Sequence, residues 1–244
     1  MATYDSATYG DRIAAIYDEL YPASAGSDAA AERLHDLAEG GPILELGIGT
    51  GRIAIPLAAR GAVIAGVDAS AAMTEHLRAK PGGDAIPVEI GDFSSVPLGG
   101  PYQLVFVAFN TLFALPDQES QLRCFANVAA ALAPDGRFVV EAFVPDLGRF
   151  DRGQRMSTEL IGVDVVHLES AMHDAANQRV DAAHIVITAA GTEIYPVQIR
   201  YAWPAELDLM ARLAGLTLEH RWGSWHREPF TSTSNAHVSV WRLG

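Results

Sequence analysis

From residue 42 to 143, short apolar runs alternate with stretches of helical periodicity, the pattern of β-α units laid around a parallel sheet. The runs at 42–46, 62–67, 86–90, 102–109 and 137–143 have strand length and are bounded by Gly, Pro or Asp. Between them, 52–60 runs into Gly61, and 70–79 opens on a capping hydroxyl with Met73 and Leu77 four apart on one face; both read as helices. The longest helix is expected over 117–133, where Leu122, Phe125, Ala129 and Leu132 recur at spacings of three and four. Pro134 and Gly136 are expected to stop it.

Ahead of this run lie two shorter helical candidates, 9–21 and 28–39, separated by Pro22 and the small residues of 23–27. After Phe143 the character changes. Over 156–203, β-branched residues such as Val165, Val180, Ile187 and Ile199 fall in extended runs, with turns at 175–177 and 190–191, which predicts an antiparallel meander. A helix over 205–214 closed by Gly215, then strands near 216–222 and 237–242, return the chain to the sheet. The expected organisation is a single domain over 1–244: a helical lid at 1–40, a ligand-binding core at 41–145, a β-rich insertion at 146–203 and closing elements at 204–244.

Composition narrows the function classes. With 244 residues, 49% hydrophobic and only 19% charged, the chain has ample material for a core and is not disordered. Its 17 basic and 30 acidic residues give a net charge of −13, which repels a polyanion, so no nucleic-acid partner is expected. No apolar run approaches the roughly 20 residues that cross a bilayer, and the acidic start lacks the features of a secretory leader. A cytoplasmic protein is expected. Cys124 is the only cysteine and reads as a core residue.

The sharpest chemical signal is Ile43-Leu44-Glu45-Leu46-Gly47-Ile48-Gly49-Thr50-Gly51-Arg52, a strand entering three alternating glycines at the mouth of a helix. Glycine there permits a tight turn and close backbone approach to a ligand. Gly49, Gly51 and Ala54 also satisfy the spacing of a dinucleotide site. Glu45 separates the two readings, because a carboxylate beside the turn suits a cationic group and would crowd a pyrophosphate. Three further signals follow successive strands. Asp68, 17 residues beyond Gly51, is placed for a ribose diol. Asp92 and Phe93 suit an adenine amino group and ring face, and Phe109-Asn110-Thr111 follows the fourth strand at the ligand-binding edge. Ligands of open α/β sheets bind at these strand ends, so the four signals point to one adenosine-containing ligand.

With these residues the sequence resembles the class I S-adenosylmethionine-dependent methyltransferases, whose first motif matches Glu45, Gly47, Gly49 and Gly51 and whose next acidic position matches Asp68. The likeness covers about residues 40–145. It implies a Rossmann-like, doubly wound α/β sheet of seven strands with the last antiparallel, here carrying a β-rich antiparallel insertion after strand five. It also implies S-adenosyl-L-methionine as cofactor and S-adenosyl-L-homocysteine as product. Glu45 and the glycines would serve the methionine end with Asn110 nearby, Asp68 the ribose, and Asp92 with Phe93 the adenine. Tyr17-Asp18-Glu19-Leu20-Tyr21-Pro22 and the β-rich insertion are similar to the amino-sugar N-methyltransferases. The chain departs from that pattern in having no histidine just after strand four, where such an enzyme would hold a base.

The implied reaction is an in-line displacement that needs the nucleophile held about 3 Å from the methyl carbon, and a base only if the acceptor is protonated. The candidate catalytic residues are His226, Tyr17 and Glu141. A small-molecule acceptor, an amine or hydroxyl of a secondary metabolite or sugar, is expected between the N-terminal tyrosines and the insertion. Tyr9, Tyr21, Arg200, Trp203 and Trp225 are the candidate substrate contacts. His167, His173 and His184 lack metal-ligand spacing, so no metal is expected. An exposed edge strand of the insertion is expected to pair two subunits into a homodimer. An NAD-dependent oxidoreductase and a non-catalytic adenosyl-ligand-binding protein remain the alternatives on the same fold.

Overall fold

Among the described residues the apolar runs become eleven strands: β1 (Ile43–Leu46), β2 (Ile64–Asp68), β3 (Val88–Ile90), β4 (Tyr102–Val107), β5 (Leu132–Phe143), β6 (Gln154–Ile161), β7 (Val165–Asp174), β8 (Arg179–Thr188), β9 (Gly191–Arg200), β10 (Leu216–Trp222) and β11 (Ala236–Leu243). The structure is a computed structural model and describes residues 4–22 and 25–244. Seven strands form one sheet in the order β10-β11-β5-β4-β1-β2-β3. β1 to β5 run parallel, and β11 is antiparallel to both of its neighbours. β6 to β9 form a second, antiparallel sheet of four strands.

Helices cover the large sheet because its strands are apolar on both faces. They are α1 (Thr8–Ile13), α2 (Tyr17–Leu20), α3 (Ala25–Ala38), α4 (Ala54–Ala59), α5 (Ala71–Arg78), α6 (Gln118–Ala131) and α7 (Pro204–Leu213). On one face Phe125 of α6 meets Phe138 and Trp241 edge-on, at ring separations of 5.1 and 5.7 Å. On the other, Leu34 of α3 and Leu57 of α4 pack with Ile43, Phe106 and Val139. Alternate residues of one strand, Phe138 and Val139, thus serve opposite faces. Side-chain caps fix two helix starts: Ser70 Oγ accepts the Met73 N–H, and Asp117 Oδ1 accepts that of Ser120. Cys124 is fully buried, as expected.

The differences from the sequence reading are local. The helix expected over 9–21 is broken by a 3-10 turn, Ala14–Ile16, which re-aims α2 toward the glycine turn. The small-residue connector of 23–27 is mostly helix, since α3 begins at Ala25; residues 23 and 24 lie outside the described residues. α6 ends at Ala131, before Pro134 is reached, because Leu132 already pairs with Tyr102 as β5. The register then slips before Leu104 meets Arg137, with Asp135 at a φ of 61° inside the irregularity. Among the described residues no helix is long and apolar enough to cross a membrane.

Candidate active site

β1 ends against a turn in which Gly47, Gly49 and Gly51 hold φ values of 70°, 54° and 81°, a region that side-chain-bearing residues avoid. A Cβ at Gly47 would collide with Thr111, and one at Gly51 with Leu77. The turn is tied to the neighbouring strand: the Gly47 N–H donates to the Val67 carbonyl at 2.8 Å, and the Gly49 N–H to Asp68 Oδ2 at 2.7 Å. A cleft opens above it at the carboxyl ends of β1, β2 and β4, lined by Glu45, the turn, Asp68, Phe93 and Phe109.

Two carboxylates sit close together in this cleft. Glu45 is 5% exposed, and its Oε2 is buried with no hydrogen-bond partner. Burial first, and the nearby charge of Asp68 second, push its pKa well above the usual carboxylate range, with only partial relief from Arg52. Burial also raises Asp68, although the N–H groups of Ser70 and Gly49 pull it down. Arg52 supplies the opposite sign. Its guanidinium lies 3.5 Å from the Phe109 ring centroid, Nη2 donates to Tyr17 Oη at 3.2 Å, and its buried Nε is unpartnered.

The N-terminal segment closes the cleft. Tyr4, Tyr9 and Tyr17 line it. Ser70 Oγ donates to Asp11 Oδ1 at 2.6 Å, and Asp18 accepts both Thr50 Oγ1 and Lys80 Nζ at 2.7 Å. Burial raises the hydroxyl pKa of Tyr9 and Tyr17, so both remain neutral phenols across the physiological range.

Several expected site residues lie elsewhere. Asn110 does not line the cleft: it takes a left-handed conformation at φ 66°, and its Oδ1 accepts the Phe143 N–H at 2.7 Å. Glu141 accepts the Phe109 N–H at 3.0 Å and the Trp225 Nε1–H at 2.8 Å, so it braces the turn after β4. Trp225 is buried beneath it in the core. Arg200 is buried in an ion pair with Glu206 at 2.6 Å and a bond to Gln121 at 2.7 Å. Trp203 is half-exposed beside α7, and His226 is exposed in the loop between β10 and β11. Asp92 caps its own turn through the Ser94 N–H and borders an adjoining opening. Tyr21 stands behind Tyr17 at a ring separation of 5.1 Å. Of the Phe109-Asn110-Thr111 segment after β4, Phe109 and Thr111 line the cleft, as does Arg52; the sequence did not mark Asp11, which bonds Ser70. No spacing marks Asp11, which meets Ser70 only through the fold, 59 residues apart in sequence. Among the described residues no His, Cys, Asp or Glu cluster is built for a metal.

A family model described as a methyltransferase domain matches residues 43–136. The structure of the CcbJ methyltransferase from Streptomyces caelestis superposes with a TM-score of 0.92 at 41% identity, covering 99% of this chain and 100% of that one. The chain belongs to the class I S-adenosylmethionine-dependent methyltransferases. The cypemycin N-terminal methyltransferase of Streptomyces sp is 29% identical over 207 residues, 84% of each chain. The SAM-bound structure of CalS10, an amino pentose methyltransferase from Micromonospora echinaspora, shares the fold with a TM-score of 0.70 at 20% identity, over 100% of this chain and 99% of that one.

The protein is therefore an enzyme, its cofactor is S-adenosylmethionine, and the dinucleotide reading falls. The chemistry of the cleft fits that cofactor. An amino acid moiety carries one ammonium and one carboxylate, and the methyltransferase offers one buried, unpartnered carboxylate oxygen on Glu45 and one buried, unpartnered N–H on Arg52.

Proposed function

We propose that this methyltransferase transfers a methyl group to the amine nitrogen of a small molecule held under its N-terminal tyrosines. Glu45 carries the donor side of this reading: a buried carboxylate oxygen without a partner is costly unless a cationic ligand group meets it. Glu45 binds the cofactor's amino group and Arg52 Nε its carboxylate. The backbone at Gly47, Gly49 and Gly51 lets the methionine end approach, Asp68 takes the ribose diol, and Phe93 packs on the adenine face.

When bound, the cofactor supplies a methyl carbon on a sulfonium, whose positive charge is lost as the bond breaks. The chain's work is orientation and exclusion of water. Arg52 already donates to Tyr17 Oη, which leaves that oxygen a second lone pair to accept an acceptor N–H and turn the nitrogen toward the methyl carbon. Tyr9 closes the space beside it. No base is required for an amine that arrives neutral, and the raised hydroxyls of Tyr9 and Tyr17 keep their protons near neutrality, so neither serves as one. The names of the cypemycin enzyme and of CalS10 both point to amines, which supports nitrogen over oxygen.

We extend the reading to a homodimer formed through the antiparallel sheet, where Met156 and Ile161 of the edge strand β6 and Met172 of its neighbour β7 are exposed, and to a cytoplasmic location, where the cofactor is made. Sedimentation at the mass of one chain would contradict the dimer. The test of the function is methyl transfer from labelled cofactor to paired amines and alcohols of matched skeleton. N-methylated products with the alcohols untouched support it; methylation of the alcohols alone overturns it.

A further inference from the structure

A second cavity lies between the inner face of the antiparallel sheet and the segment leaving β5, and nothing in the reading above uses it. Its walls are apolar: Val180 and Ala182 of β8, Val197 and Ile199 of β9, with Phe143 and Phe150 opposite. Polar groups at its edge are already engaged in hydrogen bonds. Glu169 accepts from Arg155 Nη1 at 2.7 Å and from Arg149 Nη2 at 3.4 Å. Tyr201 Oη lies 2.9 Å from His173 Nε2, and Asp146 Oδ1 accepts the Gly148 N–H at 3.0 Å.

Two chains of side-chain contacts link the cavity to the cofactor cleft. His184, on its wall, places Nε2 3.5 Å from Tyr21 Oη, and the Tyr21 ring lies 5.1 Å from that of Tyr17, which lines the cleft. Phe143, also on its wall, packs edge-on against Phe113 at 5.1 Å and is held through its N–H by Asn110, beside Phe109 of the cleft.

We propose that this cup is the acceptor-recognition site and selects amines that carry an apolar ring or alkyl chain, seating the apolar body on β8 and β9 and presenting the nitrogen past Tyr21 toward Tyr17. The proposal rests on the methyl-transfer reading and names its substrate class. A polyhydroxylated body fits the cup poorly, because hydroxyls taken from water would meet methyl groups and already-paired edge groups. An apolar body meets walls that match it, and each methylene buried tightens binding by up to about fourfold.

The probes are n-butylamine and n-octylamine, titrated calorimetrically into the protein saturated with S-adenosylhomocysteine. Octylamine is expected to bind at least tenfold tighter than butylamine. Ala182→Phe, which fills the cup, is expected to erase that preference while homocysteine-cofactor affinity stays unchanged. Val197→Phe is the second variant should the first fail to fold. Equal affinity for the two amines, or an octylamine preference that survives both fillings, overturns the proposal. Failure of the wild-type protein to bind S-adenosylhomocysteine would overturn the cofactor site instead, and the amine comparison is then read on the free protein with the same two outcomes.

Discussion

Asp68 accepts the backbone N–H of Gly49 through Oδ2 at 2.7 Å and that of Ser70 through Oδ1 at 2.8 Å. One carboxylate thereby joins the end of β2 to the glycine turn and to the cap of α5. Ser70 passes the connection on to Asp11 in the N-terminal segment. Asp68→Ala removes both the proposed ribose contact and this brace, so S-adenosylhomocysteine affinity is expected to fall by about 1–3 kcal/mol. An unchanged Kd by calorimetry contradicts the ribose assignment.

Glu45 sets function against stability. Its folded pKa is raised above that of the unfolded chain by burial and by Asp68, so the folded state binds the proton more tightly. The ligand-free fold therefore loses stability as pH rises above the ordinary carboxylate range, and the penalty is present at neutral pH. Glu45→Gln is expected to raise the thermal midpoint of the ligand-free protein at pH 8, to leave it nearly unchanged at pH 4, and to weaken cofactor binding about 10- to 100-fold. A lower midpoint at pH 8 would show that Glu45 is satisfied without ligand.

Asp18 holds α2 to the glycine turn through Thr50 and to Lys80. The pair with Lys80 is partly exposed, so its worth is at most about 1 kcal/mol. If the N-terminal segment is the lid over the cofactor, Asp18→Ala speeds S-adenosylhomocysteine release by roughly two- to fivefold in stopped-flow. An unchanged release rate would mean that this tie does not gate the cleft.

His237 is fully buried on β11, and burial, then the charge of Arg221, lowers its pKa to about 4. The unfolded chain takes up a proton near pH 6.5 that the folded chain refuses until about pH 4. Stability is therefore present above pH 6.5 and drains away as pH falls toward 4. Denaturation followed over that window is expected to show a shallower decline in His237→Gln than in the wild type. Parallel declines would assign the acid sensitivity to other groups.

The legible part of this protein was the part written in local pattern. Strand-length apolar runs and the glycines after Glu45 foretold the large sheet, because one β-α unit repeats and the turn needs residues that accept positive φ. The valines and isoleucines of 156–203 foretold the antiparallel sheet. The acceptor side was illegible for the opposite reason. Arg200 and Trp203 looked like pocket residues by chain position, yet Arg200 is drawn into a buried pair by Glu206, six residues on, and Trp203 stays beside α7. Trp225 and Glu141 are 84 residues apart and meet only because β11 folds back beside β5. Phe109 takes a left-handed conformation that its propensity disfavours, next to Asn110, which tolerates one; Glu141 and Phe143 hold the pair.

The measurement that bears most directly on the account is a crystal structure of the protein with S-adenosylhomocysteine bound. The account predicts the ligand's amino group within hydrogen-bond distance of Glu45 Oε2, its ribose diol on Asp68 and its adenine against Phe93. A ligand seated in the cleft with Glu45 Oε2 still unpartnered, or with its ribose away from Asp68, would contradict it.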